Sequence, residues 1–383
     1  MLITYLCNEY PPAPHGGIGT FVHTMACAMA RAGHDVTVAG MGGTPGEIRS
    51  EGVRVVTLPR SRLVRGRGLA DRIRLYRWLR ADVERRGTQV VETPEFEGYL
   101  PLPLGRCAVA VRLHQSATAM AKLDRRHVPT SIHRYEGRLL REHGNWIGVS
   151  RFAVQITRDT FRLAPVHHRV IYSPVTLPST EPTVLPPSAD YLLYAGTVVP
   201  RKGVCVLAEA ARHILAEFPS IHLVFAGPIP CGQPDLSARL RGIAGPQAAA
   251  RLHFTGSLDR ASLAAHMRRA RAFLFPSTLE TFGLVTAEAM LAGAPVVAAN
   301  CGPNPEFIRD GENGLLVPPN DAPGLAAAAS RLLRNPELAA TLAGNGRRTV
   351  ERDFSVDRCV RLSEEFYAEI CARARGDVHA RNH

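Results

Sequence analysis

Apolar and polar positions in the first forty residues alternate as strand, loop, helix and strand. LITYL (2–6) is a short apolar run of the buried-strand type, and PHGGIG (14–19) cannot be regular structure. From Thr20 the apolar residues Val22, Met25, Ala26 and Met29 recur with helical period, and Gly33 is a good terminator before the strand HDVTVAG (34–40). A strand–helix–strand unit of this kind predicts a parallel sheet with a right-handed crossover. The second half repeats the pattern. YLLYAG (191–196) reads as strand and TVVPRKG as loop, and Val206, Leu207, Ala210, Ala211, Ile214 and Phe218 form a helical stripe before the strand IHLVFAG (221–227). RLHFTG (251–256), a polar helix from Asp259, AFLFP (272–276), a helix from Gly283, PVVAAN (295–300) and GLLVP (314–318) continue the alternation. The expected fold class is α/β, with two parallel-sheet domains.

Between the halves lies SPVTLPSTEPTVLPPS (173–188), in which five of sixteen residues are proline. Proline excludes helix and central strand, so this segment is expected to be an extended, stiff connector. The expected organisation is a first domain over 1–172, a linker over 173–188 and a second domain over 189–350. A C-terminal segment over 351–383 is expected to pack back towards the first domain. Its stretch 354–373 reads as one amphipathic helix with Val360, Phe366, Tyr367 and Ile370 on or near one face. Two α/β domains on a short hinge are expected to face a central cleft, and ligands of open parallel sheets sit beyond the carboxyl ends of the strands.

Composition narrows the class. Of 383 residues, 45% are hydrophobic and 21% charged, which excludes a disordered, collagen-like or membrane-spanning chain. The net charge is +12, and of 46 basic residues only Lys122 and Lys202 are lysines. Residues 1–180 carry 25 basic and 14 acidic side chains and the remainder 21 and 20, so the excess belongs to the first half. A uniformly basic protein would suggest nucleic acid, whereas this asymmetry suggests two units with different tasks. The eight cysteines show no Cys-x-x-Cys pair, and none lies near a second Cys and a His in zinc-ligand spacing, which predicts reduced thiols. The apolar stretch 1–7 is too short for the core of a signal peptide, so a cytoplasmic location is expected.

The densest chemical signal is FPSTLETFGLVTAEAMLAGAPVVAANCGPNPEF (275–307). A strand ends at Pro276 and Ser277, Glu280 stands in the loop, Gly283 and Leu284 open a helix, and Glu288 sits inside it. A helix N-terminus offers free N–H groups and a positive dipole end, a natural phosphate site, and glycine permits close approach. Two carboxylates eight positions apart bracket that site. Either alone reads as a solvated acid or a good helix former; in this strand–glycine–helix context the pair points to a ligand site.

The pattern E-T-F-G-L-V-T-A-E followed by M-x-x-G-x-P-V-V-A resembles the Glu-seven-Glu signature of the large family of retaining glycosyltransferases. That family includes sucrose and phosphatidylinositol-mannoside synthases. The resemblance extends over almost the whole chain, through GGIG (16–19), VRLHQS (111–116), GVS (148–150), PRKG (200–203), FAGP (225–228) and DGENGLLVPPND (310–321). It implies the GT-B fold, two Rossmann-like domains, with the acceptor site in the first and the nucleotide-sugar site in the second. By resemblance, Glu280 binds hydroxyls of the donor sugar and Glu288 the ribose hydroxyls, a cis-diol suited to two carboxylate oxygens. Phe282, Gly283 and Leu284 meet the diphosphate, and Glu306 falls in a loop that helps orient the donor, although C-G-P-N-P-E departs from the commoner G-G-x-x-E. In the first domain Gly16 and Gly17 face the diphosphate or the acceptor. His114, at a strand's carboxyl end, contacts the donor sugar, and Ser150 and Arg151 contact acceptor or phosphate.

Negative charge grows on a departing nucleoside diphosphate, and fixed cations must stabilise it. Arg201 and Lys202 are the candidates, and in a chain so biased to arginine a lysine here suggests a need for a compact point charge. The family usually has Arg directly after the strand glycine; this chain has Gly196-Thr197, and Arg201 is the candidate replacement. The chain contains no Asp-x-Asp, so no metal is expected, and no cofactor beyond the donor, a UDP-sugar first. The implied reaction retains the anomeric configuration, with domain closure expelling water. The expected acceptor is a hydroxyl of a small molecule, a saccharide or a lipid. A sugar-nucleotide-binding protein that no longer transfers, and a disaccharide synthase or phosphorylase, remain alternatives.

From Arg60 to Arg80 the sequence RSRLVRGRGLADRIRLYRWLR holds eight arginines and one acid, and from Leu69 a helical stripe runs through Leu69, Ile73, Tyr76, Leu79 and Val83. The favoured reading is a solvated arginine face on a core-facing helix; the sharper one is peripheral contact with anionic lipid. Nucleic acid is not expected, because aromatic residues total 6% and no stacking platform accompanies the patch. Glu92, Glu95 and Glu97 follow a strand and suggest, from charge and position alone, a place for a cationic acceptor.

Overall fold

The computed structural model describes residues 1–11, 16–42, 44–63, 66–100, 102–105, 107–124, 126–164 and 166–381, with side chains up to 375. Positions 14–15 of the glycine loop, 64–65 of the arginine stretch and 382–383 of the C-terminal segment lie outside the described residues. The chain divides into two compact units, Met1–Pro174 with Val356–His383, and Val175–Ser355.

The strands of the first unit are β1 (Leu2–Leu6), β2 (Asp35–Met41), β3 (Gly46–Ser50), β4 (Val53–Leu58), β5 (Val90–Pro94), β6 (Ala108–Leu113), β7 (Asn145–Gly148) and β8 (His167–Val170). They form one sheet in the order β3-β4-β2-β1-β5-β6-β7-β8. All pairings are parallel except β3 with β4, an edge hairpin. The chain runs outward from β1 through β2 to the hairpin, then returns to β5 on the other side. The reversal therefore lies between β1 and β5. Helix Gly17–Arg31 buries Val22, Met25, Ala26 and Met29 against this sheet, as their period requires.

The second unit holds β9 (Tyr191–Ala195), β10 (His222–Ala226), β11 (Leu252–Gly256), β12 (Ala272–Phe275), β13 (Val296–Ala299) and β14 (Leu315–Val317). Their order is β11-β10-β9-β12-β13-β14, and every pairing is parallel. The central strands β9 and β12 are buried along their whole length, as expected for a sheet covered on both faces. Here the reversal lies between β9 and β12, and their carboxyl ends open into the loops 196–203 and 276–283.

Three expectations need adjustment. Helix Arg67–Arg86 does not bury the stripe that its apolar residues suggest. Its buried positions are Asp71, Arg72, Leu75, Leu79 and Asp82, while Leu69 and Ile73 are exposed. The reason is polar pairing. Arg72 donates to the carbonyls of Gly98, Gly68 and Glu97 and lies over the rings of Tyr99 and Tyr135, and Asp82 accepts from Arg54 at 2.8 Å. The proline-rich segment is without helix or strand, yet it is strapped to the second unit. Val184 N–H donates to Ser262 Oγ, and Arg269 donates to the carbonyls of Pro187 and Ser188. The C-terminal helix, Val356–Arg381, starts later than 354 and belongs to the first unit, where Val360, Phe366, Tyr367 and Ile370 join the core around Ile3, Tyr5 and Ile147.

Candidate functional site

In the second unit, the residues expected to carry chemistry meet where the strand order reverses. β9 ends at Ala195, and the loop from Gly196 closes in a 3-10 turn, Pro200–Lys202, followed by Gly203. Gly203 has φ +77°, and a Cβ there would stand 2.1 Å from the Pro276 carbonyl oxygen. Only glycine lets the loop after β9 lie this close to the end of β12. That approach brings Lys202 Nζ to 2.7 Å from Glu280 Oε1, with 17% and 15% of the two side chains exposed. The buried Ser277 hydroxyl donates to the same carboxylate oxygen at 3.0 Å, and the ammonium lies 5.5 Å from the Phe275 ring centroid. A partly desolvated pair with a third hydrogen bond is far better defined than a surface ion pair. Arg201 stands beside it, its carbonyl accepting from Thr278 Oγ1 at 3.5 Å, and the Thr197 carbonyl accepts from Tyr194 Oη at 2.9 Å.

Four residues beyond Glu280 the helix Leu284–Ala292 begins. Its N-cap is Gly283, at φ +83°, and no side chain caps it. Hydrogen bonds back to the Gly283 carbonyl begin with Thr286, so the N–H groups of Leu284 and Val285 emerge from the helix end. A Cβ at Gly283 would lie 3.3 Å from Asn304 Oδ1, a buried acceptor without a hydrogen-bond partner among the described residues, as is the nearby Thr286 Oγ1. The Phe282 ring is buried against Phe307 and Phe354, which anchors the loop just before the helix end. Glu288 lies one turn further into the helix. Burial raises its carboxyl pKa, and Arg260, 3.3 Å away, opposes the rise. Arg260 was not visible as a partner in the sequence, because nothing local links positions 28 apart. Glu306 lies in the short helix Asn304–Phe307 and lines a polar cavity with Arg309 and Arg348.

The first unit presents its own set at the carboxyl ends of β1, β5 and β6. Gly16 is the N-cap of helix Gly17–Arg31, and Gly17 opens it. Glu9 supplies the missing side-chain cap, accepting from Gly19 N–H at 2.9 Å. His114 follows β6, its ring edge-on to Phe21 with centroids 4.7 Å apart. Burial, assisted by the Arg112 charge, lowers its pKa to about 3, so the imidazole is neutral at pH 7. Its backbone N–H donates to Glu95 Oε2 at 2.8 Å.

Of the three acids in and after β5, two are internal rather than open to an acceptor. Glu92 is buried and holds Arg112 through contacts of 2.7 and 3.0 Å, and it also accepts from Tyr367 Oη at 2.6 Å. Glu95 is fully buried, and burial raises its pKa to about 8. Glu97 accepts from Tyr99 Oη at 2.7 Å. Two of the three are internal groups, which alternation and charge counting cannot reveal. Ser150 likewise caps helix Arg151–Phe161, accepting from Ala153 N–H at 2.9 Å.

Two parallel sheets, each with its candidate residues at the strand-order reversal, define an α/β protein of the doubly wound kind. The description "Glycosyl transferases group 1" matches residues 179–349, and "Glycosyltransferase Family 4" matches 15–177. Together they span most of the chain, which belongs to the GT-B glycosyltransferases. Among curated relatives, a glycogen synthase of Mycobacterium tuberculosis is 27% identical over 96% of this chain and 94% of its own length. A D-inositol 3-phosphate glycosyltransferase of Streptomyces bingchenggensis is 34% identical, over 48% of this chain and 42% of its own. A phosphatidyl-myo-inositol mannosyltransferase of M. tuberculosis is 40% identical over 41% of each. Against both of these the alignment spans about two-fifths of the relative. Among solved structures, sucrose-phosphate synthase from Thermosynechococcus elongatus superposes with a TM-score of 0.77 over 97% of this chain and 99% of its own, at 24% identity. Anabaena HepE in complex with UDP and glucose gives 0.72 over 96% and 100%, at 19% identity. At these identities the likeness carries the fold.

Proposed function

We propose that the protein transfers a sugar from a nucleoside diphosphate sugar, UDP-sugar first, to an acceptor hydroxyl, with retention at the anomeric carbon and without a metal ion. The observation that carries this reading is the 2.7 Å contact of Lys202 with Glu280, three residues before the uncapped helix N-terminus at Gly283. In this reading the diphosphate lies against the N–H groups of Leu284 and Val285 and the cations Lys202 and Arg201. Glu280 takes sugar hydroxyls and Glu288 the ribose, while His114 donates or accepts as a neutral imidazole at the sugar. Thr197 and Phe282 serve through the loops they fix, and Gly16 and Gly17 through backbone that approaches the reactants closely. The acceptor hydroxyl forms its bond to the anomeric carbon on the face that the diphosphate leaves. The breaking bond's electron pair goes to the diphosphate, one of whose oxygens takes the hydroxyl proton. UDP is favoured because HepE was solved with UDP and glucose, and the acceptor class is left broad because the named relatives act on a lipid, a small molecule and a glucan.

Turnover tests it: incubation with a panel of nucleotide sugars and hydroxyl acceptors should release UDP or GDP, and Lys202→Ala and Glu280→Ala should each lose at least about tenfold in rate. Undiminished release by both variants would remove the site assignment. Tight nucleotide binding with no product from any acceptor would favour a protein that binds without transferring.

The exposed Leu63, Leu69 and Ile73 stand among the arginines of 60–80, and this mixture supports a peripheral contact with anionic lipid. Among the described residues no helix is long and apolar enough to cross a membrane. Sedimentation with phosphatidylglycerol vesicles should occur at low salt and fall at high salt. Absence of binding at low salt leaves the arginines as a solvated face.

A further inference from the structure

Away from the reactive loops, helix Gly17–Arg31 and the turn of the edge hairpin bring three different ligand types together. His23 and Cys27 stand four residues apart, on one face of the helix. Glu51 comes from the turn between β3 and β4. His23 Nε2 lies 3.4 Å from Glu51 Oε1 and 3.8 Å from Cys27 Sγ, and the three ligand atoms all lie within 4.8 Å of one another. Bonds of about 2.0–2.1 Å to nitrogen and oxygen and about 2.3 Å to sulfur imply tetrahedral edges of about 3.3–3.6 Å. Two of the three donor–donor edges, 3.4 and 3.8 Å, are within a few tenths of an ångström of that geometry, and the third is within 4.8 Å.

We propose that His23, Cys27 and Glu51 bind one zinc(II) ion, with water in the fourth position. The donor set selects the metal: a thiolate and an imidazole beside one carboxylate suit zinc and its neighbours, whereas magnesium and calcium take oxygen donors. Access is open on the hairpin side, since the side chains of His23 and Glu51 are 37% and 56% exposed while Cys27 is buried beneath them. Binding breaks the Cys27 S–H bond and releases that proton to solvent, leaving a thiolate and a carboxylate to balance the ion's two charges. Tyr10 borders the site, its hydroxyl 4.0 Å from Cys27 Sγ and its ring 5.5 Å from that of His23.

The backbone at Glu51 fits a ligand role. Glu51 and Gly52 are the central residues of a two-residue hairpin turn, with φ +49° and +80°. Such turns favour Asn or Asp before Gly, so a glutamate at positive φ is held at some cost in strain. The site would pin β3, an edge strand exposed at every residue, to the helix. Its role is to brace the fold, and it is independent of the transfer reaction.

The test uses the full chain stripped with EDTA and then titrated with zinc(II) against a chromophoric chelator, with cobalt(II) as a spectroscopic substitute. One equivalent should bind, the cobalt form should show thiolate-to-metal charge transfer in the near ultraviolet, and Cys27→Ser should abolish that band. His23→Ala and Glu51→Gln should each weaken zinc by at least about tenfold. Failure to bind one equivalent, or binding unchanged in Glu51→Gln and His23→Ala, would overturn the proposal. Glu51 lies in an exposed turn, so Glu51→Gln keeps the test open if the buried Cys27 variant does not fold.

Discussion

Glu95 and His114 face each other across the ends of β5 and β6 with opposite titration behaviour. Glu95 has its pKa raised by burial from 4.5 to about 8, so its protonated form is the one the fold favours. Its contribution to stability is complete below 4.5 and is lost as the pH rises through 8. His114 has its pKa lowered from 6.5 to about 3, so its neutral form is favoured, and its contribution is complete above 6.5 and lost as the pH falls towards 3. Glutamine copies the protonated carboxyl and still accepts from the His114 N–H. Glu95→Gln should therefore gain on the wild type between pH 5 and pH 8, by on the order of a few kcal/mol at the upper end. Urea unfolding at several pH values measures it; a difference that stays constant with pH contradicts the assignment. Arginine matters at this scale too. Arg251 donates to the carbonyls of Leu215, Phe218, Pro219 and Ile221, a task for a guanidinium fork that one ammonium cannot perform. Arg72 and Arg112, both buried in the first unit, do similar work for backbone carbonyls and for Glu92.

At the scale of elements, the loops after β9 and β12 work as a unit because Gly203 permits their contact. Gly203→Ala adds a Cβ at 2.1 Å from the Pro276 carbonyl oxygen, whereas Gly293, with a similar φ of +83°, has open space around the same atom. Both substitutions incur the positive-φ penalty of about 1 kcal/mol. Gly203→Ala should cost at least about 1 kcal/mol more and should lower donor turnover by displacing Lys202. Equal destabilisation of the two variants would show that the loop yields freely. The strand–glycine–helix order around 275–292 was legible because glycine, apolar runs and helical period are local properties. Asp259 was legible for the same reason, and it caps helix Arg260–Arg269 through Ser262 N–H. The edge hairpin passed unread, because GEIRS lacks an apolar alternation. The face of helix Arg67–Arg86 was misread, because Asp71, Arg72 and Asp82 are buried through tertiary partners. The pairing of Lys202 with Glu280 was not legible as a contact, although each residue was singled out by its surroundings in sequence.

At the scale of the molecule, the chain begins and ends in the same unit. The C-terminal helix closes the first sheet's core with Phe366 and Ile370. It also completes a buried network in which Tyr367 Oη donates to Glu92 and stands 3.2 Å from Tyr5 Oη. Without that helix, Glu92 and Arg112 remain buried with fewer partners, a costly state. A chain ending at Ser355 should lose the cooperative melting of the first unit and expose apolar surface, while Val175–Ser355 retains its own transition. Calorimetry with a hydrophobic dye checks this, and two intact transitions would contradict it. The same division bears on charge, since most of the +12 lies in residues 1–180 and the second unit is nearly neutral. In the proposed reading, a diphosphate there would be held by Lys202, Arg201 and an open helix end rather than by bulk charge.

The central claim is that this neutral unit binds the diphosphate of a sugar donor through Lys202. Isothermal titration of UDP and GDP into wild type, Lys202→Ala and a control, Lys122→Ala, tests it directly, with unchanged melting temperatures as the check on folding. Binding of at least one nucleotide, weakened about tenfold or more in Lys202→Ala alone, is the predicted result. Equal affinity in all three proteins, or no binding in any, would contradict it.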